Sequence, residues 1–272
     1  MAPRTAEADT TSASHSGTEV QWKLVTIKPS HYCEKARWAL DLAKVSFVEE
    51  SHFPMFSRFH TLPIGGKTTP LLTSGKGPSK VTYTESDDIV DYCDSLLPVE
   101  KKLLIEGRRE EIDEWRKIAN EIGDHTRRLA YFNMFKYTKN LAYEVLSDNV
   151  SKRQKRMAKI MMPMIKGVVK GALKVNEKET TKSIERLNSL LDKADKAIEE
   201  GDGYLVGGKF TAADLSFASL MAPIIFPPEF DAKMPQPEDL PDQFRKVVEE
   251  YRSRPSGKHC LRIFSSYRPK KN

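Results

Sequence analysis

Gln21 to Ile27 is rich in β-branched and aromatic residues and predicts a strand, which Lys28-Pro29-Ser30 breaks. From His31 to Lys44 the small or apolar residues Cys33, Ala36, Leu40 and Ala43 recur at helical spacing, with Glu34, Lys35, Asp41 and Lys44 elsewhere. That pattern predicts an amphipathic helix. Val45 to Glu50 predicts a second strand, and the helix between the two strands makes a parallel, right-handed crossover the expected geometry. After an irregular stretch through Pro63, Thr69–Thr73 and Val81–Thr84 flank Ser74-Gly75-Lys76-Gly77-Pro78, whose Gly and Pro content reads as an antiparallel hairpin loop. A helix from about Glu85 follows, with Ile89, Val90, Cys93 and Leu97 on one side, and stops before Pro98.

Beyond Lys101 the pattern changes to long charged amphipathic segments: Arg108–Tyr131, Ser151–Lys174, Thr180–Glu200, Thr211–Ile225 and Leu240–Arg252. A last stretch from Arg254-Pro255-Ser256 to Tyr267 reads as a terminal helix packing back on the bundle. The expected organisation is a Ser-, Thr- and Ala-rich disordered tail at 1–19, an α/β domain at 20–98, a linker at Pro98–Lys102 and an all-helical domain at 103–272. Two domains also suit 272 residues.

Composition narrows the function. A hydrophobic share of 39%, a charged share of 30% and a mean hydropathy of −0.53 exclude a mainly membrane-embedded chain. The longest apolar run, Leu215 to Pro228, is too short and interrupted to span a bilayer and reads as a buried helix. Three well-separated cysteines (Cys33, Cys93, Cys260) argue against a disulfide framework and for a reducing compartment, the cytoplasm. Without a secretory signal, the sequon Asn149-Val150-Ser151 has no consequence. The net charge of +6 is modest and indicates no nucleic-acid partner. It is concentrated between Ser151 and Lys174, where eight basic and no acidic side chains interleave with Met and aliphatic residues. Two readings stand: a solvated basic face opposite a buried Met-rich face, or a weak contact with an anionic membrane surface or acidic ligand.

The segment Pro29-Ser30-His31-Tyr32-Cys33-Glu34-Lys35-Ala36-Arg37-Trp38 places a hydroxyl and unpaired amides where a strand turns into a helix, a setting that stabilises anions. Lowering a thiol pKa by about two units takes roughly 2.7 kcal/mol. A charge-assisted hydrogen bond of about 1.5–3 kcal/mol, with about 0.3–1 from the helix terminus, reaches that scale. Read locally, Ser30 is also an ordinary helix cap. Ser30 and Cys33 cannot form a disulfide, so dithiol chemistry is disfavoured, and Cys33 falls on the apolar face as a small core residue. Gly66-Lys67-Thr68 lacks the earlier glycine of a phosphate-binding loop, and the six histidines show no metal-ligand spacing.

The order strand, Ser-x-x-Cys helix, strand, X-Pro strand, strand, acidic-Ser helix resembles the glutathione transferase superfamily, from about Gln21 to Arg268. The resemblance implies a thioredoxin-like domain of order β-α-β-α-β-β-α followed by an all-α bundle. It implies Ser30 as the catalytic serine of a serine-type transferase, and Thr69-Pro70, with a cis peptide, as the contact for the cysteinyl part of glutathione. Glu85 and Ser86 match the acidic-Ser pair that grips the γ-glutamyl end. Lys67 stands for the glycyl-carboxylate contact, although two residues rather than one separate it from Pro70. Tyr204 to Asp214 contains the Thr211-to-Asp214 capping box of the family's buried helix. Glutathione is then a cosubstrate with no permanently bound cofactor, and the partner is a small hydrophobic electrophile. A homodimer and a role in detoxification follow from the resemblance alone. Trp115, Tyr131, Phe132 and Phe135, with Tyr137, are expected to line the acceptor pocket. The alternatives are a non-catalytic relative that binds a hydrophobic anion, a membrane surface or a protein partner, and a glutathione-dependent thiol reductase or peroxidase.

Overall fold

The computed structural model describes residues 21–75 and 80–270, so the expected tail and most of the hairpin loop lie outside the described residues. Strands β1 (Trp22–Thr26), β2 (Phe47–Ser51), β3 (Leu71–Ser74) and β4 (Val81–Tyr83) form one sheet of order β2-β1-β3-β4. β1 pairs with β2 in parallel and with β3 antiparallel, and β3 pairs with β4 as the expected hairpin. The central strands bury Leu24, Val25, Leu71 and Leu72. Helix α1 (His31–Leu42) is the crossover between β1 and β2; α2 (Phe56–Thr61) fills the stretch before β3, and α3 (Ser86–Leu96) follows β4. This is the thioredoxin-like order.

The remaining described chain contains no strand and forms α4 (Arg109–Tyr137), α5 (Leu141–Leu146), α6 (Lys152–Ala172), α7 (Glu177–Glu200), α8 (Ala212–Ile225), α9 (Asp242–Ser253) and α10 (Pro255–Tyr267). The apolar run expected to be a buried helix is α8, with all but one of its residues buried. It starts at the expected capping box: Thr211 Oγ1 accepts from Ala213 N–H at 3.2 Å, and Asp214 Oδ2 accepts from Thr211 N–H at 3.0 Å. No helix among the described residues is long and apolar enough to cross a membrane.

One expectation needs correction. Helix α1 is not an amphipathic helix with a charged outer face, because Glu34, Lys35 and Arg37 are fully buried. It lies between α3 and α8, and its charges are covered and paired. Arg37 donates to Glu34 at 3.0 Å and to Glu49 at 2.8 Å, and Arg268 from the C-terminal segment donates to Glu34 at 2.7 Å. Lys35 donates to Asp87 at 2.8 Å, where Arg116 also donates at 2.8 Å. Buried charges persist only when paired in this way.

Candidate active site

The turn from β1 into α1 sets the site. Ser30 is extended (φ −72°, ψ 124°), donates its N–H to Ile27 O at 2.9 Å and accepts from Glu34 N–H at 2.9 Å through its carbonyl. Its Oγ accepts from Cys33 N–H at 3.4 Å, which makes it the N-cap of α1. The hydroxyl hydrogen therefore stays available to an acceptor. One is the Cys33 sulfur beneath it; the other is anything in the cavity of about 410 Å3 that Ser30 lines. A neutral thiol accepts weakly and an anionic sulfur strongly, so an anion in the cavity wins the proton donor.

Cys33 is 0% exposed, and burial pushes its thiol pKa up, against the lowering by Arg37 and by hydrogen bonds from the Ser30 and Thr69 side chains. It is a core residue, as its position on the helix predicted. That shared contact also places Thr69 next to Ser30. Thr69 lines the cavity, and its peptide bond to Pro70 is cis. Glu85 and Ser86 come from the neighbouring strand end. The β3–β4 pairing ends at Leu72↔Tyr83, two residues short of both Pro70 and Glu85, and neither Glu85 nor Ser86 lines the cavity. Glu85 is the exposed N-cap residue of α3 and Ser86 is buried in its first turn, so the two sit at a helix N-terminus. Lys67 is exposed and lines the cavity, delivered there by the turn at Gly65, whose φ of +88° suits glycine.

The cavity carries, besides the expected Lys67, two cations that sequence reasoning did not single out, Arg58 and Arg127. Arg58, Lys67 and Arg127 line it, and no Asp or Glu does among the described residues. Neither Arg58 nor Lys67 has a salt-bridge partner among the described residues. Arg127 pairs with Asp124 at 2.6 Å, while its Nε is buried without a hydrogen-bond partner. Its guanidinium lies 5.9 Å from the centre of the Tyr32 ring. His31 and Tyr32 line the same wall. Burial, with Arg127 next, lowers the His31 pKa to about 3, so its neutral ring donates from Nε2 to Gly123 O at 3.1 Å. Tyr32 donates to Asn120 O at 3.1 Å, and burial raises its pKa. Gly123 permits this approach of α4, because a Cβ there would stand 3.0 Å from the Tyr32 hydroxyl and 3.2 Å from Leu220.

The rest of the wall is apolar, including Met134, Val145, Leu146, Val169 and Phe226. Of the aromatic residues expected in an acceptor pocket, Tyr131 lines the cavity, and burial raises its pKa to about 12. Trp115 packs on the main core, and Phe135 and Tyr137 pack on a second cluster around Phe244. Phe132 lies under Lys136, 5.0 Å from its ammonium. None of these four lines the cavity; α4 turns them to other faces.

The structure also gathers Glu50, His52 and His60, whose ligand-type atoms all lie within 4.8 Å of one another, a group the spacing of the histidines did not announce. Its hydrogen bonds disfavour a metal. Phe53 N–H donates to Gln154 Oε1 at 3.0 Å, which turns the Gln154 amide nitrogen toward His52 Nδ1, also at 3.0 Å. Nδ1 must accept, so Nε2 carries the proton and faces Glu50 Oε1 at 3.0 Å. A metal at Nε2 would require the opposite tautomer.

This fold and site define a thioredoxin-like domain whose first helix is capped by a serine that lines the cavity, joined to a helical domain that walls it. The sequence matches the family described as glutathione S-transferase, N-terminal domain, over residues 24–101, and that described as glutathione S-transferase, C-terminal domain, over residues 160–258. The chain belongs to the glutathione S-transferase superfamily. No curated protein sequence gives a significant match. Among solved structures, glutathione transferase F2 from Populus trichocarpa is 17% identical, with 90% of this chain and 99% of that chain covered at a TM-score of 0.51. Glutathione transferase URE2P8 from Phanerochaete chrysosporium, solved with oxidized glutathione, is 18% identical, with 92% and 97% covered at 0.50. A glutathione S-transferase from Methylobacillus flagellatus KT, solved with GSH bound, is 14% identical, with 88% and 98% covered at 0.50. At such identities the likeness is one of fold.

Proposed function

We infer that the chain is a glutathione transferase that binds the tripeptide along the cavity wall at Ser30 and Thr69, with its γ-glutamyl end extending beyond that wall toward the start of α3. The observation that carries this reading is the Ser30 hydroxyl: it caps α1, lines the cavity and has a hydrogen that an anionic sulfur would draw away from the weakly accepting Cys33 thiol. The Thr69 backbone beside the cis peptide would pair with the cysteinyl part, and Glu85 with Ser86 would meet the γ-glutamyl ammonium and carboxylate. Lys67 and Arg58 would meet the glycyl carboxylate, supported by their lack of salt-bridge partners.

In the proposed reaction the glutathione thiol gives its proton to solvent, and Ser30 donates to the resulting thiolate. A sulfur lone pair then forms the carbon–sulfur bond to a hydrophobic electrophile in the apolar half of the cavity. The displaced electron pair leaves with the departing group or moves into the acceptor's conjugated system. A buried, neutral Cys33 gives no support to a thiol-exchange reaction.

Calorimetric titration with glutathione and with an S-alkyl glutathione, followed by assay against aryl halides and enones, tests the proposal. Binding of both peptides and conjugation of at least one electrophile are expected. No heat of binding for either peptide refutes it, and binding without turnover of any electrophile reduces the protein to a glutathione-binding relative.

A further inference from the structure

The geometry points to the outer face of α6 as a docking surface for an anionic lipid bilayer. On an ordinary surface helix the side turned away from the core is polar. Here Met157, Ile160, Met164 and Val168 follow one another at spacings of three and four residues and are 40%, 82%, 49% and 47% exposed. The inner face holds Ala158 and Ile165, both buried, with Met161, Met162 and Val169 packed beside them against Phe53 and Leu146. The expected burial of a Met-rich face is therefore met by that set, and the outer apolar stripe is a second one.

Charge identifies the occupant. The segment from Ser151 to Lys174 has eight basic and no acidic residues, and none of the eight forms a salt bridge among the described residues. Elsewhere on the helical domain surface several cations are paired, as in Arg186 with Glu121, Lys182 with Glu179 and Lys136 with Glu177, and acidic residues are interspersed among the rest. A second copy seated on this stripe would bring an identical uncompensated basic segment against it, and like charges would repel. An anionic headgroup layer supplies the opposite charge, and the acyl boundary beneath it takes up the apolar stripe of a helix lying in the plane. Val168 lines the cavity as well as belonging to the stripe, so a docked α6 sets one edge of the cavity against the bilayer. Hydrophobic ligands dissolved in the lipid would then reach the cavity without crossing bulk water.

The test is flotation of the full-length protein with phosphatidylcholine vesicles and with vesicles containing about 30% phosphatidylserine, at low and high salt. The expected result is flotation with the anionic vesicles only, weakened by salt, and lowered about tenfold or more in the double variant I160E/M164E. Both replaced side chains are solvent-exposed, so thermal melting of the variant should match the parent and shows that a loss of flotation is not unfolding. The proposal is overturned if the parent protein stays with the soluble fraction. It is equally overturned if the double variant floats as well as the parent, or if its effect is to change the oligomeric mass in solution, which would assign the stripe to a second copy.

Discussion

Replacing Ser30 by alanine removes one hydroxyl from the N-terminus of α1 and leaves the helix end in place. A hydrogen bond to a charged partner contributes about 1.5–3 kcal/mol, and about 1.36 kcal/mol corresponds to one pKa unit, so the loss is worth about one to two units. The structure argues for the lower end. Cys33 N–H now donates to Ser30 Oγ at 3.4 Å, and in the alanine variant it is released as a substitute donor beside the helix terminus. The pH midpoint of thiolate formation in the glutathione complex should therefore rise by about one unit. Thiolate absorbance of bound glutathione against pH reads this directly, and the acidic limb of the kcat/KM profile should move with it. Loss of the cap costs about 0.5–1 kcal/mol, or a melting temperature lower by roughly 1–4 °C, which a thermal melt separates from the spectroscopic shift. Ser30→Thr keeps a hydroxyl and should keep the parental midpoint. If the alanine variant binds glutathione with an unchanged midpoint, the thiolate is held by something other than Ser30.

Cys33→Ala should retain conjugation within about twofold and lose about 1 kcal/mol of stability, since the thiol is a packed core group; loss of turnover with an unchanged melting temperature would contradict this. Asp87→Asn leaves the fully buried Lys35 ammonium without its anion and should cost about 2–3 kcal/mol, less than a wholly buried pair because Asp87 is 29% exposed. Burial alone would raise the Asp87 pKa, but Lys35 and Arg116 hold it at about 2 against 3.8. This depressed value stabilises the fold above pH about 4 and the gain is lost as the pH falls toward 2, so urea titrations should show a shallower loss on acidification for the variant. Arg127→Met should raise KM for a carboxylate-bearing electrophile about tenfold and leave a neutral one unchanged; equal effects on both would remove Arg127 as an anion contact.

The strands were legible because each combines β-forming residues with Gly or Pro at its ends, and all four fall within two residues of their expected limits. Ser30 and Thr69-Pro70 were legible because both sit at strand ends that the pattern marks. The burial of Glu34, Lys35 and Arg37 was not, since the period of one helix does not say that α8 and Arg268 will cover its polar side. The same gap hid Arg127: it precedes Tyr131 by one helical turn and so shares its face, a signal present in the sequence but readable only once that face is known to meet the cavity. Trp115, Phe132 and Phe135 point elsewhere because aromatic content along a helix carries no direction. α5 is six residues long, too short for its period to show.

The buried charges of α1 bear on chemistry more than on stability, since such pairs contribute little net folding energy but hold their members in one geometry. Glu34 is held by Arg37 and Arg268, Lys35 by Asp87, and His31 and Tyr32 by carbonyls of α4, so four of the five residues after Ser30 are tied to three other parts of the chain. A donor that stabilises a developing or standing charge works only if it does not have to reorganise. The opposite wall is held differently. α6 leans on the first domain mainly through apolar contacts and the Gln154 link to His52 and Phe53. Apolar contacts lack direction and tolerate small shifts, so the end of the cavity at Ser30 is fixed while the end walled by α6 can adjust to ligands of different shape.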